Sequence, residues 1–545
     1  VPGNGSLHLQ CVDDGAFHRA DVVGESTGMG IDATVTGTKV RWVVEMMRGP
    51  ELAGQRITSV ERTDRDDGVV EFTFHDAGPG DPVVDLERTR DELLILGDAG
   101  TTMVIRQHRA PVRDVVAVVP DIPAFGWRTF LPVDDTRPTT PTPKLRQEPT
   151  NSVGLGRSFG GVVAAGRVIE NEFVRVEVDP VDGTLTIDAD GVRLTGANRY
   201  VDGGDGGDTY NYSPPARDLI VDTPESVSIE VIDDGPVRAR LVVTSRYRWP
   251  GRAIGDERAC RARGDELVDA DIRTTLELRA GERFLRVRVD LDNTARDHRL
   301  RAHFSLPARV SGSDAECAYT VVHRGLTAEG GPHERGLPTF VSRRFVDCSS
   351  AADDAEDDMG VALLHDGLLE YEVLDDGAEI ALTLLRATGY LSRSEPAYRP
   401  NPAGPLHSLE GPQLQRPLTL EYAVLPHRGN WEAARVADAA DDFLVPLATV
   451  RVEPSSAHAT RGPVGHDLAV DGAHVAALVR DDDTGALVVR MVNLSSHATT
   501  AAVADGEGQL RQGDVVDLTS APIQPFAGTI DLRPWEIVTV RLHSS

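Results

Sequence analysis

Leu285-Arg-Val-Arg-Val-Asp-Leu-Asp292 alternates without a break: Leu285, Val287, Val289 and Leu291 are apolar, and Arg286, Arg288, Asp290 and Asp292 are charged. Successive side chains of a strand point to opposite faces, so a period of two puts one face inward and leaves the other in water. Val227, Ile229 and Val231 repeat the pattern around Ser228 and Glu230. Val174, Val176 and Val178 lead through Asp182-Gly183 into Leu185 and Ile187, which reads as a hairpin. Many such strands between Gly, Pro and Asp turns predict a mainly β chain of antiparallel β-sandwich domains. Helices are few and short. Val40–Arg48 is one, Asp85–Leu96 with its acidic first turn is a second, and Asn430–Leu444 is a third that bridges two regions.

At 545 residues the chain is too long for one core. Two breaks divide it, a proline-rich stretch at Asp134–Arg157 and another near Pro454–Gly465. The sections are 1–150, β-rich with one or two helices; 151–450, the largest; and 451–545, a compact all-β end. No repeat of solenoid or propeller length is visible. A net charge of −30 argues against nucleic acid and against an anionic membrane surface as partners. Lys39 and Lys144 are the only lysines, so the basic residues are almost all arginine, which fits a high-GC genome or salt adaptation. No run approaches the apolar length of a membrane span. Cys11, Cys260, Cys317 and Cys348 form no Cys-x-x-Cys pair. They read as buried free thiols of a reducing compartment, and the expected location is cytoplasmic.

The chemistry-bearing stretch is Asp202-Gly-Gly-Asp-Gly-Gly-Asp-Thr-Tyr-Asn-Tyr-Ser-Pro-Pro215, with three carboxylates, four glycines and two tyrosines. It suits neither helix nor regular strand, and glycine lets the main chain come close to whatever the loop faces. Its hydrogen-bonding groups suit a polyhydroxylated ligand such as a sugar. A solvated acidic turn, with or without a structural cation, is the competing reading, although the spacing does not match the twelve-residue calcium loop. Asp205 and Asp208 invite assignment as the carboxyl pair of a retaining glycosidase, whose members stand about 5–5.5 Å apart. Among 86 acidic residues such pairs arise by chance. A glycine-flanked loop is also expected to offer little burial to raise one pKa. No catalytic residue is therefore assigned. His298 and His303, five apart on a strand, face opposite sides and cannot chelate one metal. A Walker-type phosphate loop and a dinucleotide fingerprint placed between a strand and a helix are missing from the sequence, and no nucleophile elbow is assigned. Trp42, Trp127, Trp249, Trp431 and Trp535 are expected in cores or between domains, with a sugar-stacking platform as the alternative.

Several segments, in order, resemble glycoside hydrolase family 38, the α-mannosidases, in the part that follows the catalytic barrel. They are Gly37–Gly49, Phe125-Gly-Trp127, Asn171–Val178, Gly206–Pro215, Asp297–Phe304, Pro338–Asp347, Leu382–Arg393 and Leu532–Leu542. The resemblance implies a large central supersandwich of the galactose mutarotase type. It implies a mannoside or glycan substrate, with Tyr210 donating to a sugar hydroxyl. Asp205, Asp208 and Arg386 are the other substrate-binding candidates, and for Arg386 and the two aspartates a structural role in fixing the loop stays open. Family members carry an aspartate nucleophile and a zinc ion on an N-terminal α/β barrel, the zinc held partly by a His-x-Asp pair. None of the 16 histidines here has aspartate two residues on. Zinc is thus implied by the family with its ligands outside this chain, and that barrel is the expected partner. Self-association stays open. Two other readings remain beside this one: a stand-alone carbohydrate-binding β-protein, and an enzyme built wholly within the β-domain by analogy with sugar mutarotases.

Overall fold

The computed structural model describes residues 6–11, 17–26, 29–76, 82–108, 112–119, 122, 124–133, 161–328, 330–332, 335–350, 358–399, 401–449, 464–481 and 484–543. The proline-rich stretch Asp134–Arg157 lies outside the described residues, as does most of Pro454–Gly465. The chain divides into two compact units, 1–141 with 448–465, and 142–447 with 466–545.

In the first unit a six-stranded sheet runs in the order Met29–Thr36, Thr102–His108, Val70–Asp76, Gln55–Asp64, Glu51–Leu52, Met47–Arg48. Val70–Asp76 and Thr102–His108 are parallel, because helix α2 (Glu87–Asp98) carries the chain back across the sheet between them. The Asp85 carboxylate accepts the Glu87 amide at 3.0 Å as α2 begins. Gly97 lets α2 approach the Gly37–Val40 turn, since a Cβ there would lie 2.7 Å from the Val40 side chain. The core comprises Val43, Leu52, Ile57, Phe72, Phe74, Leu93, Met103 and Ile105. Helix α1 (Arg41–Glu45) buries Val43 and Val44. That choice of face turns Trp42 outward, so Trp42 is 41% exposed and is not a core residue.

In the second unit the strand read first, Leu285–Asp292, sits inside an antiparallel sheet of nine strands among the described residues. Leu285, Val287, Val289 and Leu291 are buried, and Arg288 and Asp292 are exposed, as the alternation predicts. The hairpin Val174–Val178 to Leu185–Ala189 also forms as read. Ser226–Asp234 departs from expectation. It is an edge strand of the large sheet, and a register shift after Val231 leaves that side chain exposed. Facing the nine-stranded sheet across one large core are two five-stranded sheets. One is a meander from Val163–Ala165 to Val192–Ala197. The other has the order Arg199–Gly204, His298–Ser305, Glu379–Ala387, Glu370–Leu374, Thr339–Val341. This is a mainly β architecture of antiparallel sandwiches with few short helices.

Helix α3 (Val436–Leu444) is shorter than the Asn430–Leu444 expected from sequence. Residues 431–435 form turns, with Arg435 at a φ of 53°. Val436, Ala437, Ala439 and Ala440 of α3 pack with Phe345, Leu364 and Leu425 on the other face of the nine-stranded sheet. The C-terminal strands build a separate core from Leu468, Val489, Met491, Val503, Phe526 and Val540. Trp431 packs against Trp535 with ring centroids 6.2 Å apart, tying that sandwich to the turn before α3.

Candidate functional site

The site is built on the outer face of the five-stranded sheet that begins with Arg199–Gly204. Along His298–Ser305, Leu300, Ala302 and Phe304 enter the core, which sends Arg299, Arg301 and His303 to the opposite face. Glu372 on the neighbouring Glu370–Leu374 strand answers them, 3.3 Å from the Arg299 guanidinium and 2.7 Å from that of Arg301. Arg299 stacks on Tyr212, 3.5 Å from the ring centroid. Burial pushes the Tyr212 phenol up to about 12, so it stays protonated and neutral.

The loop leaves the end of Arg199–Gly204 and turns at Asp202–Asp208. Asp202 is fully buried between His298 and Arg263, 2.6 Å from Nδ1 of the first and 2.6 Å from Nη2 of the second. The other ring nitrogen of His298 contacts the Asn293 side-chain oxygen at 3.0 Å. Asp205 Oδ1 accepts the Gly207 amide at 2.9 Å, and its Oδ2 accepts Arg386 Nε at 2.7 Å. Arg386 also donates to the Asp208 carbonyl at 3.1 Å. Asp208 Oδ1 accepts the amides of Tyr210 and Asn211, each at 3.0 Å. Its Oδ2 accepts the Arg393 amide at 2.8 Å and the Arg399 guanidinium. Burial alone would raise the Asp208 carboxyl. The Arg393 amide, Arg399 and the Asn211 amide outweigh it and hold the group below the ordinary carboxylate range.

Residues 388–399 and 401–404 close over this loop. Thr388 donates to the Gly207 carbonyl at 3.0 Å, the Ala397 amide to Ser213 at 2.9 Å, and the Thr209 hydroxyl to the Leu391 carbonyl at 2.8 Å. That cover overturns the expectation that the loop gives its carboxylates little burial, since both Asp205 and Asp208 are 0% exposed. Glycine is required at 206 and 207 by space. A Cβ at 206 would lie 2.3 Å from Cys260 Cβ, and one at 207 would lie 2.0 Å from the Asn211 carbonyl. Tyr210 is the exception to this burial: it is 52% exposed, with the Arg399 guanidinium 5.8 Å from its ring centroid.

The structure therefore brings Asp205, Asp208 and Arg386 together as a fastening, with Tyr210 at the tip. Sequence reasoning missed Arg399 and Arg393. Their partners lie about 190 residues away in the chain, so no local pattern announces them. His298 and His303 do face opposite sides of their strand. His303 lies 3.0 Å from Glu379, and burial lowers its pKa. Among the described residues no three His, Cys, Asp or Glu side chains come together as metal ligands. The residues present do not fit a zinc site, because His298 and the loop carboxylates are already engaged.

Residues 169–402 match the glycosyl hydrolases family 38 C-terminal domain, and 472–540 match the family 38 C-terminal beta sandwich domain. The chain belongs to glycoside hydrolase family 38, as its C-terminal β-rich portion. It is similar to the putative mannosylglycerate hydrolase of Halalkalibacterium halodurans, 26% identical over 399 residues, which are 69% of this chain and 41% of that relative. Two solved structures share its fold at 20% identity. An alpha-mannosidase from Enterococcus faecalis V583 superposes with a TM-score of 0.63, covering 99% of this chain and 56% of its own. A family 38 protein from Enterococcus faecalis gives 0.61, covering 99% and 58%. The chain thus spans between two fifths and three fifths of the length of the family 38 proteins it matches.

Proposed function

We propose that this chain walls the sugar site of a retaining α-mannosidase acting on terminal α-mannosides. In this reading the aspartate nucleophile and the zinc ion belong to an N-terminal barrel outside these residues. The observation that carries it is the fastened loop. Asp205 and Asp208 are buried and committed to Arg386, Arg399 and backbone amides, so neither is free as nucleophile or acid. The same fastening presents Tyr210, half exposed, as a preset hydrogen-bonding group for a sugar hydroxyl. Arg386 is the second lining residue; its side chain keeps 20% of its surface exposed beside the loop. Leu219, Ile220 and Ile254, each 51% exposed on segments next to the loop, support a further domain seated there. Cytoplasmic residence belongs to the same proposal, and the free thiols of Cys260, Cys317 and Cys348 suit it.

The test assays an aryl α-mannoside and mannosylglycerate, the second chosen for the name of the Halalkalibacterium halodurans relative. The chain alone should hydrolyse neither and should copurify without stoichiometric zinc. Joined to a family 38 barrel it should gain zinc and activity. In the joined protein Tyr210→Phe should lower kcat/KM about tenfold, the worth of one hydrogen bond. Hydrolysis by the chain alone would sink the proposal. Mannoside binding that a barrel never converts into hydrolysis would mark a stand-alone carbohydrate-binding protein instead.

A further inference from the structure

Where the turn before α3 meets the C-terminal sandwich there is a cleft of about 410 Å³, a size within the range of small-molecule sites. It shares no residue with the Tyr210 loop. One wall carries Glu432, Arg435 and Asp438, the other His474 and His497, with Trp431 between them. Glu432 is fixed by the Ser496 amide at 2.8 Å and the Ser496 hydroxyl at 3.0 Å. Asp438 is paired with Arg435 Nε at 2.6 Å. The Ser496 hydroxyl also meets His497 Nδ1 at 3.0 Å. Trp431 makes a rigid floor: Phe345 and Trp535 pack against its ring at 6.1 and 6.2 Å, and only 9% of its surface is exposed.

The chemistry of these walls selects among ligands. An anion would face two carboxylates. A metal ion would find no set of three ligating side chains among the described residues. A neutral ligand with many hydroxyls finds acceptors at Glu432 and Asp438, donors at Arg435, and imidazoles able to serve as either. The Asp438–Arg435 pair also cancels charge within the wall, which lowers the cost of covering it with an uncharged molecule. We propose that this cleft is an accessory saccharide site, taking a neutral mono- or disaccharide independently of the Tyr210 loop.

Saturation-transfer NMR and calorimetry on the whole chain, with methyl α-D-mannoside and an α-linked mannobiose as probes, should detect binding. Ala433 lines the cleft and is exposed, so Ala433→Trp fills it from the rim without removing a buried group. That variant should weaken binding at least about tenfold. In the unmodified chain, ¹³C-labelled imidazole resonances of His474 and His497 should move on titration while that of buried His298 stays still, a readout that does not depend on any variant folding. No saturation transfer, binding untouched by a folded Ala433→Trp protein, or unmoved His474 and His497 resonances would each overturn the proposal.

Discussion

Asp208 shows how one side chain sets the geometry of a whole loop. Its two oxygens take three backbone amides and a guanidinium, and Arg399 reaches on to Asn211 and to the Asn401 carbonyl at 2.7 Å. Asp208→Ala leaves Arg399 buried without its carboxylate and should cost about 3–5 kcal/mol in urea unfolding. A loss below about 1 kcal/mol would mean the pair is incidental. Because the native carboxyl is held below its ordinary value, this contribution is complete above the usual carboxylate range and disappears as pH falls through the native value. Two buried histidines give opposite signatures near neutrality. His365 contacts Ser342 at 2.7 Å while its Nδ1 has no hydrogen-bond partner among the described residues, and burial lowers its pKa from 6.5 to about 4. Its folded state binds fewer protons than the unfolded one, so stability is full above pH 6.5 and falls on the way to pH 4, by up to about 1.4 kcal/mol per unit. For His427, burial works to lower the value, but the Asp347 carboxylate at 2.7 Å outweighs it and raises it. Its contribution is full below pH 6.5 and is lost as pH rises through the raised value. Denaturation across pH 4–8 should show a shallower acid-side loss in His365→Gln and a shallower alkaline-side loss in His427→Gln. Identical profiles for the two variants would contradict the assignment.

At the scale of elements, the strand Leu285–Asp292 was legible because a period of two needs no partner to be read. Leu285→Ala should cost about 2–5 kcal/mol. Arg288→Ala, which removes an exposed pair with Asp290 at 2.9 Å, should cost under about 1 kcal/mol. Similar losses at both positions would mean the two faces are not distinguished. The same rule misplaced Val231, since an alternating pattern does not say whether its strand lies at an edge or carries a register shift. Helix α3 starts late for a related reason: the turns at 431–435 put Trp431 against Phe345 and Trp535, and packing overrode a helix-compatible sequence. The loop at 202–215 was recognised from composition, but its glycines serve close approach. Gly207→Ala would press a methyl against the Asn211 carbonyl and should cost about 1–3 kcal/mol, with faster amide exchange confined to 202–215 and 388–404. Uniform protection after that substitution would refute the clamp.

At the scale of the molecule, the C-terminal sandwich has its own core and is joined to the remainder of its unit by the Trp431–Trp535 contact and the Glu432–Ser496 hydrogen bonds. Trp431→Ala should cost about 3–5 kcal/mol and split a single unfolding transition in calorimetry, with the C-terminal strands melting first. Retention of one sharp transition at an unchanged midpoint would show that the contact carries no coupling. Family and strand content were set by the sequence itself, because alternation, turn residues and ordered motifs are local properties that any reader of the chain can see. The roles of Asp205, Asp208, Arg393 and Arg399 were decided only in three dimensions. Burial and pairing depend on what a distant segment lays over a loop, and a carboxylate acts as fastening or as reagent according to which donors reach it first.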